Sequence, residues 1–229
     1  MIRAIIFDFD GLILDTEYPE YQSWEEVFAA HGCALALDDW AAGIGRSVYA
    51  QSFDPYAHLE AQLRRPIERE RIRQARRERY AELVAAQAIR PGVEAYVAEA
   101  RRLGLKLGVA SSGTGDWVRG HLYRLGLMAH LDCVRCAEDV THAKPHPELY
   151  RSVLTALALT PDEAIAIEDS PNGVRAAKAA GLFCVAVPNP LTCRLPLEHA
   201  DLRLASLADL PLAELLALVE KDRSRPSRG

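Results

Sequence analysis

Short apolar runs of the β type recur along the chain, with enough residues between them for helices. They are RAIIF at 3–7, LKLGVA at 105–110, AIAIE at 164–168 and FCVAVP at 183–188, with DCVRC at 132–136 as a further candidate. Continuous apolar runs of this length are typical of strands that are buried on both faces. Because helical patterns separate them, the sequence predicts an α/β fold around a mostly parallel sheet.

The stretch from about residue 16 to residue 88 interrupts this alternation, because it contains no convincing strand pattern. Pro19 is placed to occupy the first turn of a helix that runs to about His31, and a long helical pattern follows Pro66. The segment RPG then marks the return to the α/β unit. We therefore predict that residues 1–15 and 89–220 form the core, residues 16–88 a helical insertion, and the polar residues 221–229 a disordered tail.

The composition excludes several classes of protein. With 27 Lys and Arg against 32 Asp and Glu, the formal charge is -5, so we expect no overall attraction to nucleic acid or to an anionic membrane. No stretch approaches about 18 uninterrupted apolar residues, and Asp8 and Asp10 interrupt the first apolar run, which argues against a signal peptide. We expect a cytoplasmic monomer. Segment 64–79, with eight Arg and three Glu, is interpreted as a solvated helix face.

Side chains that can bind metal or phosphate follow the predicted strands. Asp8 and Asp10 end the first run, and side chains at positions i and i+2 of an extended segment point the same way. The other candidates are Ser111 and Ser112 after LKLGVA, Lys144 in AKPHPELY, and Glu168 and Asp169 at the end of AIAIE. Ligands of such sheets bind at the carboxyl ends of the strands. We therefore expect these residues to converge on one site.

The combination of these residue types favours phosphoryl transfer. Four carboxylates repel one another unless a cation binds, and hard oxygen ligands suit Mg²⁺. A serine hydroxyl, backbone N–H groups around Gly113 and a lysine ammonium suit phosphate oxygens. A free carboxylate beside Mg²⁺ and phosphate meets the requirement for transfer through an aspartyl phosphate. A second Asp, two residues further on, can protonate the leaving oxygen and later deprotonate water.

Four segments resemble the motifs of the haloacid dehalogenase-like hydrolases, and they do so in the family's order. They are DFDGLILDTE, VASS, AKPHPELY and IEDSPNGVRAAKAAG. The resemblance extends from Ile2 to about Asn189. Within the family, the motifs most resemble those of the β-phosphoglucomutase-like branch, in which a helical cap is inserted after the first motif. It implies a Rossmann-like core with an inserted α-helical cap domain, and Mg²⁺ as the cofactor.

The resemblance also implies a role for each motif residue. Asp8 is the expected nucleophile, and Asp10 is the expected general acid and base, with its backbone carbonyl on the metal. Asp169 would ligate Mg²⁺ and Glu168 would support the site. The expected metal-binding set therefore comprises Asp8, Asp10, Glu168 and Asp169, and the expected phosphate-binding set comprises Ser111, Ser112 and Lys144.

Several residues outside the motifs have other expected roles. In the cap, Arg46 in GIGRS and Glu20 are candidates for substrate contact, and an ordinary surface role for Arg46 stays open. His142 and His146, which flank Lys144, are interpreted as solvent-exposed loop residues rather than catalytic groups. The three tryptophans, Trp24, Trp40 and Trp117, are interpreted as packing residues.

We predict a Mg²⁺-dependent phosphatase that acts on a small phosphorylated metabolite, a sugar or polyol phosphate. Two alternatives stay open: a phosphomutase of the β-phosphoglucomutase type, and a non-catalytic phosphate-binding module. Mutases of this branch carry a His early in the first cap helix, whereas TEYPEYQSW has no His between Thr16 and Trp24. They also place polar side chains after the second motif, where this chain has SGTGD. Both differences from the mutases favour a hydrolase over a phosphomutase.

Overall fold

A sheet of six parallel strands lies at the centre of the fold. The computed structural model describes residues 1–43 and 53–223 of the chain. The strands are β1 (Ala4–Phe7), β2 (Lys106–Ala110), β3 (Cys133–Arg135), β4 (Ala164–Glu168), β5 (Phe183–Ala186) and β6 (Leu202–Arg203). Their order is β3-β2-β1-β4-β5-β6, and each pair is parallel. This is the strand order of a Rossmann fold, so the predicted α/β class is confirmed.

Helices connect the strands and cover both faces of the sheet. They are α1 (Glu17–Ala30), α2 (Leu37–Gly43), α3 (Pro55–Leu63), α4 (Arg69–Ala85), α5 (Val93–Arg102), α6 (Gly115–Arg124), α7 (Glu148–Leu157), α8 (Pro171–Ala179) and α9 (Leu212–Arg223). The helical patterns that separate the predicted strands correspond to α5, α6, α7 and α8. Strand β6 lies outside the sequence predictions, because two residues are too few to show a pattern.

Strand β1 is buried on both faces, as its continuous apolar run predicts. Ile5 and Phe7 pack into the core on one side of the sheet, with Tyr96 of α5. Ile6 packs on the other side, with Tyr150 of α7. The side chains of β1 are fully buried, and each large one contributes about 1.5–3 kcal/mol through removal from water. The central strand therefore holds the residues that follow it in a rigid position.

A separate hydrophobic cluster lies in the insertion after β1 and includes one residue from outside it. Trp24 and Phe28 of α1 pack there with Leu59 of α3 and Leu191, which comes from the loop after β5. This is the packing role predicted for Trp24. Much of the arginine excess of segment 64–79 has acidic partners, since Arg79 of α4 pairs with Glu26 of α1 at 2.8 Å. Local charge pairing thus reduces the basic character of this segment.

The two connections to the insertion lie side by side. Leu14 and Ile89 form an isolated antiparallel bridge, and the backbone N–H of Arg90 donates to the carbonyl of Ile13 at 2.9 Å. The insertion therefore begins and ends at the same edge of the sheet, above the carboxyl end of β1.

The chain ends differ in part from the sequence prediction. Helix α9 continues to Arg223, three residues into the segment 221–229 for which the sequence predicts disorder, because its apolar residues Leu212, Leu215 and Val219 are buried against the core. Residues 224–229 lie outside the described part of the chain. In the two described ranges, 1–43 and 53–223, no helix has the length and apolar character needed to cross a membrane.

Candidate active site

Asp8, Lys144 and Glu168 form an ion-paired group at the carboxyl edge of the sheet. The Lys144 ammonium donates to Asp8 Oδ1 at 2.5 Å and to Glu168 Oε1 at 2.6 Å. All three side chains are less than a tenth exposed. Burial by itself would lower the pKa of Lys144, but the negative charges of Asp8 and Glu168 raise it above its ordinary value. The lysine therefore stays charged, and it joins residues that lie far apart in the sequence.

Glu168 is completely buried, and its carboxylate is held by neighbouring groups. The Tyr150 hydroxyl donates to Oε1 at 2.6 Å, and the backbone N–H of Asp169 donates to Oε2 at 3.2 Å. Gly173, in the first turn of α8, lies against this carboxyl group. A Cβ atom at Gly173 would come within 1.9 Å of Glu168 Cδ. Helix α8 can therefore approach Glu168 only because position 173 lacks a side chain.

Replacing Gly173 with Ala is expected to lower both stability and activity. The added methyl group must displace Glu168, and forcing extra volume into a packed site costs about 1–3 kcal/mol. The measurements are the free energy of unfolding in urea and the rate of phosphate release from a generic aryl phosphate. Gly120→Ala is the matched control, because Gly120 is also helical and a Cβ atom there would have nothing within 4 Å. That control should gain roughly 0.5–1 kcal/mol. Equal behaviour of the two variants would contradict this role of Gly173.

Asp169 lies beside Asp8 at the point where the strand order of the sheet reverses. Asn189 Nδ2 donates to Asp169 Oδ2 at 2.8 Å. Gly11 adopts a φ of +79°, and a Cβ there would lie 2.3 Å from the same oxygen. Burial, followed by the charges of Asp8 and Glu168, raises the pKa of Asp169 well above its ordinary value. The charge of Lys144 opposes this rise, but it compensates the ionised form of Asp169 only in part.

The carboxylates of Asp8, Glu168 and Asp169 together fit a metal ion. All three are buried, and one ligand oxygen of each lies within 4.8 Å of the others. Among the residues that the structure describes, Lys144 supplies the ammonium that pairs with this group of three negative charges. A hard divalent cation with oxygen ligands would supply the missing charge.

Asp10 points across the cleft and accepts hydrogen bonds at both oxygens. Ser111 Oγ donates to Oδ2 at 3.2 Å, and the Trp117 indole N–H donates to Oδ1 at 2.8 Å. Trp117 also stacks on Tyr80 of α4, with ring centroids 5.8 Å apart and planes inclined by 12°. Trp117 is therefore more than the packing residue that the sequence predicts, because its ring connects the insertion to Asp10. Its place in the first turn of the helix after the second motif was the available sequence signal.

A cleft of about 260 Å³ opens between these groups. It is lined by Asp8, Asp10, Glu17, Ser111, Ser112, Lys144, Asp169, Ser170 and Asn172. A larger cleft of about 760 Å³ lies between α1 and α4 in the insertion, away from the carboxylates. The smaller cleft is the candidate active site, because it holds the titratable groups.

The predicted cap residues have different positions. Glu20 lies 3.7 Å from Arg76 of α4 and is absent from the lining of the cleft as described. The predicted contact of Glu20 with substrate stays a prediction, and Glu17, one turn earlier on α1, lines the cleft. Burial, followed by the charges of Glu20, Asp10 and Asp15, raises the pKa of Glu17 to about 8. Arg46 lies outside the described residues, so its predicted contact with substrate stays a prediction.

Comparison with known proteins identifies the family. The model of the haloacid dehalogenase-like hydrolases matches residues 5–187. The chain belongs to this family. YhcW of Bacillus subtilis, provisionally named a phosphatase, is 47% identical over 216 residues, which cover 94% of this chain and 97% of YhcW. Hexitol phosphatase B of Escherichia coli is 30% identical over 225 residues, covering 94% and 97% of the two chains.

A solved structure agrees with this membership. A variant of CbbY from Rhodobacter sphaeroides, crystallised with xylulose-(1,5)bisphosphate, is 32% identical with a TM-score of 0.71, covering 94% of this chain and 99% of CbbY. This chain is thus an enzyme of the haloacid dehalogenase-like family, and the similarity to named phosphatases indicates that it is a phosphatase.

Proposed function

We propose that this enzyme is a Mg²⁺-dependent phosphatase that hydrolyses a small sugar or polyol phosphate through a phosphorylated Asp8. The observation that carries the proposal is the contact between Lys144 Nζ and Asp8 Oδ1, which lie 2.5 Å apart. The same cleft also contains Asp10, two residues along the chain. A nucleophile, a cation for the phosphate oxygens and an acid–base group are then within reach of one substrate.

In the first half of the proposed reaction, a carboxylate oxygen of Asp8 attacks phosphorus. A new bond forms between that oxygen and phosphorus, the bond to the leaving oxygen breaks, and Asp10 donates a proton to the leaving oxygen. Lys144 and Ser111 hold the phosphoryl oxygens. In the second half, Asp10 takes a proton from water, the water oxygen attacks phosphorus, and the bond to Asp8 breaks. Inorganic phosphate leaves, and Asp8 and Asp10 return to their initial states.

Asp8, Asp169 and the supporting Glu168 are the residues that would hold Mg²⁺, with the backbone carbonyl of Asp10 as the family resemblance implies. The fit rests on three buried carboxylates that face one ammonium. When bound, Mg²⁺ would offset the repulsion between the anionic nucleophile and the anionic phosphate.

The substrate class is supported by size and by the relatives. A cleft of about 260 Å³ is below the usual range of about 300–1,000 Å³ for small-molecule sites, which favours a compact substrate. Among the relatives, one is named a hexitol phosphatase and another is a protein crystallised with a sugar bisphosphate. A phosphomutase is the second candidate, but the missing cap histidine and the glycines of SGTGD disfavour it.

The test is a screen of purified protein against phosphorylated metabolites with Mg²⁺, with release of inorganic phosphate as the readout. We expect one or a few sugar or polyol phosphates to exceed a generic aryl phosphate in kcat/KM. A separate incubation with β-glucose 1-phosphate, Mg²⁺ and a trace of the 1,6-bisphosphate addresses the mutase. Glucose 6-phosphate formed faster than inorganic phosphate would overturn the hydrolase proposal, and no turnover of any substrate would favour the non-catalytic module.

Trp117→Phe is expected to lower kcat by about 10- to 100-fold. The substitution keeps an aromatic ring beside Tyr80 but removes the N–H that donates to Asp10, and a hydrogen bond to a charged group contributes about 1.5–3 kcal/mol. Trp24→Phe is the matched control, because Trp24 packs in the core of the insertion and makes no described contact with Asp10. It should change stability with little effect on kcat. A kcat of Trp117→Phe within twofold of wild type would exclude this positioning role.

Glu17→Gln is expected to flatten the alkaline side of the pH profile of kcat/KM. With a pKa of about 8, Glu17 is neutral at pH 7 and becomes negative as the pH rises further, which repels an anionic phosphate. Wild-type kcat/KM should therefore fall above about pH 8, while the variant retains its value. Glu25→Gln serves as the control, since Glu25 is exposed on the same helix. If kcat/KM of Glu17→Gln still falls above about pH 8 as in the wild type, the fall is due to another group.

A further inference from the structure

Two imidazoles and a carboxylate converge on the loop that carries Lys144. The Nδ1 atoms of His142 and His146 lie 3.1 Å and 3.6 Å from the same oxygen, Oε2 of Glu148. One ligand atom from each of the three residues lies within 4.8 Å of the other two. We propose that His142, His146 and Glu148 form a binding site for Zn²⁺ or a divalent transition metal of similar preference, separate from the catalytic carboxylates.

The distances suit a tetrahedral ion. When zinc–ligand bonds are about 2.0–2.1 Å long, neighbouring ligand atoms lie about 3.3–3.4 Å apart. The two distances to Glu148 Oε2 fall on either side of this value. The His142 and His146 side chains are 63% and 50% exposed, so both rings can turn toward an ion without disturbing the core. Three protein ligands would leave the fourth position open to water.

Backbone hydrogen bonds already hold the Glu148 carboxylate in place. It is the first residue of α7, and its carboxylate accepts the backbone N–H groups of Thr141 at 2.9 Å and His142 at 3.0 Å. The first of these bonds makes the largest contribution to a lowered pKa of Glu148, so the group is ionised at neutral pH. An anionic oxygen beside two imidazole nitrogens favours a divalent cation.

Hydrogen bonding alone does not account for the position of His146. Its Nδ1 lies 3.6 Å from Glu148 Oε2, which is longer than a hydrogen bond, and that oxygen already accepts the backbone N–H and faces the ring of His142. The two imidazole rings nevertheless lie with centroids 4.8 Å apart. A shared metal ion would explain why both rings turn toward one oxygen.

The donor types separate this site from the catalytic one. Imidazole nitrogen suits Zn²⁺, Ni²⁺ and Cu²⁺, whereas Mg²⁺ prefers oxygen ligands. Lys144 lies two residues from each histidine, so an ion bound here would tie both ends of its loop to α7. The site would therefore restrain the segment that positions the Lys144 ammonium at Asp8.

The test is calorimetric titration of full-length protein with Zn²⁺ in the Asp169→Asn background, in which the acidic cluster is weakened. We expect one Zn²⁺ per chain with micromolar affinity, which millimolar Mg²⁺ does not displace. Adding His142→Gln or His146→Gln should weaken binding at least tenfold. His130→Gln is the matched control, because His130 is also exposed, and it should leave binding unchanged.

Three results would overturn the proposal: no Zn²⁺ binding in the Asp169→Asn protein, binding that persists when both His142 and His146 are replaced, or equal weakening by His130→Gln. Because the two histidines are exposed, their variants should keep the wild-type circular dichroism spectrum. Repeating the titration in the wild-type background with saturating Mg²⁺ gives the same comparison without relying on the folding of Asp169→Asn.

Discussion

Asp8→Asn is expected to lower kcat by at least about 10³-fold while the protein stays folded, because an amide is a far weaker nucleophile than a carboxylate. Phosphate monoesters hydrolyse so slowly without a catalyst that enzymes supply accelerations of up to ~10²¹-fold. Loss of the nucleophile therefore removes a route that water alone does not replace. The measurement is single-turnover and steady-state release of phosphate from an aryl phosphate with Mg²⁺.

The stability of Asp8→Asn separates a lost nucleophile from a lost fold. In the metal-free protein, burial raises the pKa of Asp8 well above its ordinary value, although Lys144 opposes the shift. A carboxyl group with a raised folded-state pKa binds protons more readily in the folded state, so its ionisation lowers stability as the pH rises above the unfolded pKa. The neutral Asn avoids that loss, while Lys144 keeps its contact with Glu168 at 2.6 Å. In EDTA at pH 7, the free energy of unfolding of Asp8→Asn should therefore equal or exceed that of wild type.

Asp39→Asn is the control, because Asp39 is exposed on α2, and its kcat should stay within about twofold of wild type. Residual activity of Asp8→Asn within tenfold of wild type would refute the assignment of the nucleophile.

Removal of divalent ions is expected to abolish turnover, and Mg²⁺ but not Ca²⁺ should restore it. Without a cation, the buried carboxylates of Asp8, Glu168 and Asp169 face one ammonium, and an anionic substrate would add further negative charge. Ca²⁺ also binds oxygen ligands, but it takes more of them at longer distances. It can draw both oxygens of Asp8 toward itself and leave none to attack phosphorus. The measurement is the rate in EDTA, followed by titration with each ion.

A binding readout makes this prediction independent of activity. Mg²⁺ should raise the midpoint of thermal unfolding of the wild type, because an ion that binds only the folded state stabilises it by mass action. Asp169→Asn should lose most of this response, whereas His142→Gln should retain it, since His142 lies outside the acidic cluster. Full activity in EDTA, equal rates with the two ions, or an undiminished Mg²⁺ response in Asp169→Asn would refute the metal role.

The sequence alone predicts the α/β class and the positions of most core elements. Strands buried on both faces require continuous apolar runs, and such runs stand out between helical patterns. The edge strand β6 and the end of α9 do not follow from local pattern. The first is only two residues long, and the second depends on burial of Leu215 and Val219 against distant residues.

For the candidate site as well, the sequence predicts some features and the structure alone shows others. Asp8, Ser111 and Asp169 are predictable because reactive side chains come directly after strands, and parallel strands bring their carboxyl ends to one edge. The contacts that orient them are not predictable in this manner. Trp117 donates to Asp10 across 107 positions of the chain, and Gly173 matters only because α8 approaches Glu168 so closely.

The amino-acid sequence by itself determined the fold class and the family, because continuous apolar runs and ordered motifs can be read directly along the chain. The tertiary structure alone decided that Trp117 reaches Asp10 and that Glu17 lines the cleft. These contacts depend on how α6 packs on the sheet and on how α1 of the insertion lies over the cleft. Packing angles arise from the fit of many distant side chains, and no short segment of sequence encodes them.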